Sequence, residues 1–323
     1  MGRPLADAPA QPGAAPEAQA SATASGVPLR VWAVLSVGLA TLGASAILIR
    51  LAGVDSGLDF RVLVFWRLTF TVALLLPVGL GRDARADYAR VTGRDVALVG
   101  AAGVLLGIHF LGWFASLAHT SVASATVLVT MSPLFIAILG TLFFRERPGV
   151  RAWLAILMGV AGAVLIGLAD ARGGVFPRAL LGNSLALGAA FAISLYLLVG
   201  RSVRQRLGFA AYFFPLNVVV LGLVTLVALA SGVSLAVGWP TLGLCLVMAL
   251  GPGLLGHGAF AYSVKYIPAA TLGLLSLLEP LVSAVLAVFL FKEFPLPLAI
   301  VGMVVVLVSI AAILWPGPAR ARG

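Results

Sequence analysis

Two isolated charges stand inside long apolar runs: the carboxylate of Glu279, next to Pro280, and the guanidinium of Arg67. A charge at the bilayer centre costs about 2.5–3.5 kcal/mol on insertion scales, so each needs a partner or a wet cavity. A carboxylate so placed suits a proton-coupling site, where a proton is bound and released during a cycle, and equally suits a carboxyl hydrogen-bonded to the backbone beside Pro280. Arg67 has three outlets. It can pair with Glu279, attract an anionic group of a substrate, or snorkel to the surface about six residues (roughly 9 Å) away. Snorkelling asks least of the rest of the chain.

His109 and His257 lie in other apolar runs, where an imidazole can bind substrate, relay a proton near neutral pH, or simply be satisfied in a helix interface. With His119 they are the three histidines, and they show neither metal-ligand spacing nor an accompanying acidic cluster. No metal or other cofactor is expected. Trp113, Tyr196, Asn217 and Tyr262 supply aromatic and amide groups suited to stacking and hydrogen bonding in a cavity, and Phe114 adjoins them. Pro133 and Pro280 interrupt two apolar runs. A proline inside a helix removes one backbone hydrogen bond and bends the chain, so the pair reads as a hinge and part of a substrate site. The other reading is a pair of packed kinks without a gating role.

The elements that must carry these groups follow from composition. The chain of 323 residues is 61% hydrophobic and only 10% charged, which is more apolar surface than a soluble globule can bury. Low-charge runs near 31–51, 61–80, 96–118, 122–144, 151–168, 180–200, 210–230, 240–262, 270–291 and 298–314 approach the roughly 20 residues a bilayer-spanning helix needs. The expected class is therefore an all-α integral membrane protein with ten transmembrane helices. Residues 1–28, rich in Ala, Pro, Gln and Ser, read as a disordered tail, and residues 317–323 as a short basic tail. The single Cys245 lies in an apolar run and leaves no intrachain disulfide to form.

The net charge of +10 reads as membrane topology, because almost every Lys and Arg sits between apolar runs; no nucleic-acid partner is expected. With the N-terminus inside, 15 basic residues fall on the cytoplasmic side against five, Arg50, Arg61, Arg172, Arg178 and Lys292, on the other. Both termini are expected in the cytoplasm, in a plasma membrane of the bacterial inner-membrane type.

The chain also repeats itself. A shift of 147 positions sets Ser132-Pro133-Leu134 on Glu279-Pro280-Leu281, and Phe144-Arg145-Glu146-Arg147-Pro148 on Phe291-Lys292-Glu293-Phe294-Pro295. Five helices separate equivalent elements, and an odd number reverses the direction of crossing. The halves, 29–170 and 171–316, are therefore expected to form an inverted repeat about an axis in the membrane plane. Under that symmetry Glu279 faces Ser132, and the best local alignment of the seventh run places Pro215 opposite Arg67, so both charges belong to one half only. Lys292-Glu293 and Arg145-Glu146 read as interface anchors at helix exits.

These residues resemble the EamA-type family of the drug/metabolite transporter superfamily. The likeness rests on Phe65-Trp66-Arg67-Leu68, on His109 to Leu117, on Thr120 to Ala125, on Ser132-Pro133-Leu134 followed by Arg145-Glu146, and in the second half on Gly253 to His257, Leu278-Glu279-Pro280 and Lys292-Glu293. It departs at Ala155, where the family pattern usually has glycine. The resemblance implies two five-helix halves and a secondary transporter of small organic metabolites or drugs, leaning towards efflux. The expected mechanism is alternating access, with a cavity lined by helices one, three, four, six, eight and nine, membrane lipid around it, and protons as a candidate coupling ion. No G-x-x-x-x-G-K-[ST] loop is present for direct ATP drive. Gly251-Pro252-Gly253-Leu254-Leu255-Gly256 matches a dinucleotide fingerprint in letters only, since no strand-turn-helix context surrounds it. A membrane enzyme would need clustered carboxylates, a metal site or an activated nucleophile, and a passive channel would need rings of polar residues; neither pattern is found.

Overall fold

The computed structural model describes residues 27–54, 57–144, 150–173, 176–204, 206–263, 266, 275–276 and 278–314. The expected basic C-terminal tail, nearly all of the expected N-terminal tail, the Arg145-Glu146-Arg147-Pro148 segment and the start of the ninth apolar run lie outside the described residues.

Every regular element among the described residues is helical. Helix α1 (Leu29–Gly43) meets α2 (Ser45–Ile49) at a 42° bend, and α2 runs on into a π-helical turn, Arg50–Val54. Then come α3 (Phe60–Gly79), the short α4 (Arg82–Tyr88) and α5 (Gly93–Leu117). The next apolar run is split into α6 (Val122–Val129) and α7 (Ser132–Phe144), and α8 (Val150–Gly173) follows. Helices α9 (Ala179–Arg204) and α10 (Phe209–Ala230) precede α11 (Trp239–Met248), which continues through a π-helical segment, Ala249–His257, into α12 (Gly258–Ser263). Last are α13 (Leu278–Phe291) and α14 (Pro297–Leu314).

Among the described residues, five helical stretches are long and apolar enough to cross a membrane, the bent α1–α2 pair makes a sixth, and four more apolar helices are shorter. Their outward faces carry large apolar side chains such as Leu157, Leu226, Val285 and Phe289, exposed as lipid contact requires. The irregular π-helical segment coincides with Gly251–Gly256, where Pro252 lacks an amide donor; it is the helical context that denies this stretch a dinucleotide-binding role.

Helix starts follow local chemistry. The Asp59 side chain accepts from the Arg61 amide at 2.8 Å and so caps α3, while Thr92 and Asp95 form a reciprocal capping box on α5. Hydrogen bonding from Arg61 holds the Asp59 carboxyl below its ordinary value of 3.8. A depressed carboxyl contributes stability above that ordinary value and loses it as pH falls through the lowered one. Asp59→Ala is expected to cost about 0.5–2 kcal/mol at neutral pH, read as an earlier melting transition in detergent, and the deficit should disappear in strong acid.

Tight helix pairs are made by small residues, since lipid gives no hydrophobic drive for helices to associate. A Cβ at Gly103 would stand 2.7 Å from Val219, and one at Gly107 would stand 2.7 Å from Leu223, so the small-xxx-small pair seats α10 against α5. Helix α8 packs along α14, α5 along α9, α1 along the π-helical segment, and α3 along α10. Helix α13 lies against α1, and the broken α6–α7 pair against α9.

Pro133 does not kink a continuous helix as expected. The fourth run is interrupted at Thr130–Met131, and Pro133 is the second residue of α7; for Pro280, on α13, residue 277 lies outside the described residues. In a first turn the missing proline N–H would have had no intrahelical acceptor, so the proline starts a helix instead of breaking one. Serines from neighbouring helices serve the carbonyls at the breaks: Ser194 donates to the Ser132 carbonyl at 3.0 Å, and Ser283 to that of Gly43 at 2.6 Å.

Candidate functional site

Arg67 lies on α3, one helical turn before Thr71, whose hydroxyl donates back to the Arg67 carbonyl at 2.8 Å. The snorkelling expected of Arg67 does not occur: the residue is 2% exposed, and its guanidinium turns inward over the Phe110 ring, 4.4 Å from the centroid, with Phe114 at 5.6 Å. It makes no pair with Glu279 either. The aromatic faces of α5 lie within reach of α3 and provide a cation–π seat that the route to the surface does not.

Helix α5 supplies His109, Phe110, Trp113 and Phe114 to this region, and the π-helical segment supplies His257, whose ring meets Phe110 edge-on at 5.5 Å. Phe110 thus joins Arg67 to His257. His109 is buried, and its Nδ1 lies 3.0 Å from the Ala189 carbonyl of α9. A carbonyl only accepts, so Nδ1 carries the hydrogen; in the neutral ring Nε2 is then an acceptor. Trp113 is buried in the same core cluster.

The other expected site residues are placed apart from the Arg67 contacts. Glu279 stands in the first turn of α13, partly exposed, with no hydrogen bond or ion pair among the described residues. The Asn217 amide donates to the Phe213 carbonyl of its own helix at 2.7 Å. Tyr196 is in the same core cluster as Tyr212, over which Arg204 lies at 5.8 Å, and Tyr262 packs on Tyr266. A groove of about 460 Å³ between α6, α7, α8 and α9 is lined by side chains such as Leu134, Phe135, Ile156 and Leu187. Its apolar walls set it apart from the charged cluster.

One group was misjudged from sequence. Arg50 and Glu293, expected at loop and interface positions, form an ion pair in which Arg50 is 4% exposed. Arg50 Nη2 also donates to the Thr120 carbonyl at 2.7 Å, and Glu293 Oε2 accepts from the Val122 N–H at 3.1 Å, at the start of α6. The Thr120 hydroxyl donates to Asn183 of α9 at 2.8 Å. The ends of the first, fourth and ninth apolar runs are thereby tied together, with the sixth attached through Asn183. The one sequence signal was the recurrence of an acidic residue, Glu146 and Glu293, just after the fourth run of each half. At the opposite pole of α5 and α9, Arg206 pairs with Asp95, and the Gly208 N–H donates to Asp87 at 2.9 Å.

Comparison with known proteins places this architecture. An uncharacterized transporter of Bacillus subtilis (strain 168), YdfC, is 26% identical over 258 residues, covering 79% of this chain and 81% of that protein. An uncharacterized transporter encoded in the cobO 3′ region of Sinorhizobium sp. is 27% identical over 135 residues, 42% of this chain but 93% of its own length. A solved crystal structure superposes with a TM-score of 0.58 at 20% identity, covering 87% of this chain and 96% of that one, a likeness that shows the fold alone. The model of the EamA-like transporter family matches twice, over residues 25–168 and 180–315. Spanning nearly all of the described helices, that double match makes this multi-pass membrane protein a member of the EamA-like transporter family.

Proposed function

We propose that the chain is a secondary carrier of small organic molecules, with ten spans in two inverted five-helix repeats, working by alternating access as an exporter coupled to protons through Glu279. The observation that carries this reading is the pattern of helix packing. Numbering the ten apolar runs in order, the fifth packs on the tenth, the second on the seventh and the fourth on the ninth, each a pair that a five-run exchange maps onto itself. The third on the sixth is likewise matched by the first on the eighth, and the fourth on the sixth by the first on the ninth. Side chains follow suit. Positions 162 and 306 adjoin, as do 159 and 309, and a shift of 147 exchanges the two pairs. The half-length Sinorhizobium relative and the two family matches support the same duplication.

Within this reading the halves are the domains 29–170 and 171–316, and both termini lie in the cytoplasm of a bacterial-type inner membrane. The Arg50–Glu293 clamp then closes the outer end of the carrier, joining three spans that must separate when that end opens. The break beside Pro133 is where the fourth span bends, and Pro280 would give the ninth span its own bend. Glu279 has no counter-cation among the described residues, so a proton is the simplest neutralising partner as it passes between water and the membrane interior.

Purified protein reconstituted with an internal pH-sensitive dye, and challenged with amino acids, nucleobases and cationic drugs, tests this. Saturable flux accompanied by proton movement is expected, with Glu279→Gln abolishing proton movement while substrate still binds. Saturable flux indifferent to both the pH gradient and the variant would leave the carrier and remove proton coupling; flux that never saturates would remove the carrier.

A further inference from the structure

We infer that Arg67 is the anion-recognising group of the substrate site, so that the transported molecule carries an oxyanion, such as a carboxylate, seated on its guanidinium beside the Phe110 ring. The inference rests on the carrier reading above and adds the charge of the substrate to it.

Four observations lead there. Arg67 is 2% exposed, yet among the described residues its guanidinium makes no hydrogen bond, and its Nε is enclosed without an acceptor. Arginines taken out of water normally keep a carboxylate or several carbonyls, as Arg50 does with Glu293 and Thr120. The groups that do surround Arg67 are the rings of Phe110 and Phe114, which hold a cation in place while leaving the donor edge unused. Among the helices packed against α3 is the irregular Ala249–His257 segment, and a Cβ at Gly253 would stand 3.2 Å from the Thr71 hydroxyl, one turn from Arg67. Irregular backbone at membrane depth is tolerated where it is buried in protein or lines a wet cavity, π-helical turns recur at functional sites, and His257 projects from this one against Phe110, edge-on.

A planar fork of N–H donors in a low-dielectric setting fits an oxyanion bidentately, and it repels amines. A purely structural role would need the charge only to be tolerated, and an uncharged side chain over the same rings would serve it better. The two roles therefore differ in one measurable respect, the sign of the field at the neighbouring position.

The test uses the full chain in proteoliposomes, with Cys245→Ala to remove the native thiol and His257→Cys as reporter. The reporter is treated with anionic 2-sulfonatoethyl methanethiosulfonate and with its cationic trimethylammonium counterpart, each normalised to its rate with a free thiol. The anionic reagent is expected to react faster by about tenfold or more, with the preference kept in Arg67→Lys and lost in Arg67→Gln. Equal rates, a preference for the cation, or a preference that survives Arg67→Gln would overturn the inference, as would a reporter that neither reagent reaches from either side. If Arg67→Gln does not fold, the ratio on the Arg67 background still decides, since a value of one or less overturns it. The carrier reading fails separately, on unsaturable flux in the dye assay, and either result can occur without the other.

Discussion

Glu293→Ala is expected to destabilise the protein by about 3–5 kcal/mol, because it removes the carboxylate that pairs with the buried Arg50 guanidinium. The Arg50 side chain is 3% exposed and that of Glu293 17%, so solvent cannot take over the lost role. The variant also strips the Val122 N–H at the start of α6 of its acceptor, adding a cap defect to the charge defect. The measurement is thermal unfolding in detergent, where a fall of several degrees is expected.

A second variant separates charge from architecture. Replacing both partners, Arg50→Met with Glu293→Met, should recover much of the stability, since an apolar pair of similar volume often matches a buried ion pair. Recovery should be incomplete, because Met cannot accept from Val122. A double variant as unstable as the single one would show that the pair contributes nothing through its charge. In the transport cycle proposed above, weakening this clamp favours the state open at its end, so water-soluble thiol reagents added from that side should reach the interior faster.

The second large effect concerns the seam between α8 and α14. A Cβ built on Gly302 would stand 2.7 Å from the Gly162 carbonyl oxygen and 3.0 Å from the Ile166 nitrogen, and one on Gly162 would stand 2.8 Å from the Gly302 carbonyl oxygen. These are backbone atoms, which cannot swing aside as a side chain can. Gly302→Ala and Gly162→Ala should each force the two helices apart and cost about 1–3 kcal/mol. Alanine's better helix propensity, worth about 0.8–1 kcal/mol, works against that cost without cancelling it. Gly167→Ala on the same helix is the control. Its nearest contact would be an ordinary 3.6 Å to the end of Leu180, so propensity should prevail and the variant should be neutral or slightly stabilised. Melting temperatures of the three variants decide it: equal behaviour at 162, 167 and 302 would mean that close approach does not hold this seam.

Much of the architecture was legible in the sequence, because the bilayer leaves a chain few choices. Apolar runs of the required length mark helices wherever they occur, and the described helices fall on those runs except the short, polar α4. Ala155, where the family pattern usually has glycine, is 1% exposed on α8, and its 147-shifted counterpart is Gly302. One glycine of the equivalent pair is thus enough to let the seam close. The packing role of Gly103 and Gly107 was also readable, from small residues four apart on one helix face.

What the sequence left open turns on side-chain partners, which come from helices distant along the chain. Arg67 had three outlets on paper, and only the approach of α5 and the irregular Ala249–His257 segment turned it inward over Phe110. Glu293 read as an interface anchor because its partner is 243 positions away, on a helix end that packing alone brings close. Pro133 was read as a mid-helix kink because periodicity does not reveal where a helix restarts; the break at Thr130–Met131 turned it into a first-turn residue. The sequence by itself determined the solvent and the helical, multi-pass character of the chain, which are properties of composition and order along one dimension. The tertiary structure decided which charges are paired, which lies over aromatic rings instead, and which helix ends are tied together, because those depend on distances that only the packed helices create.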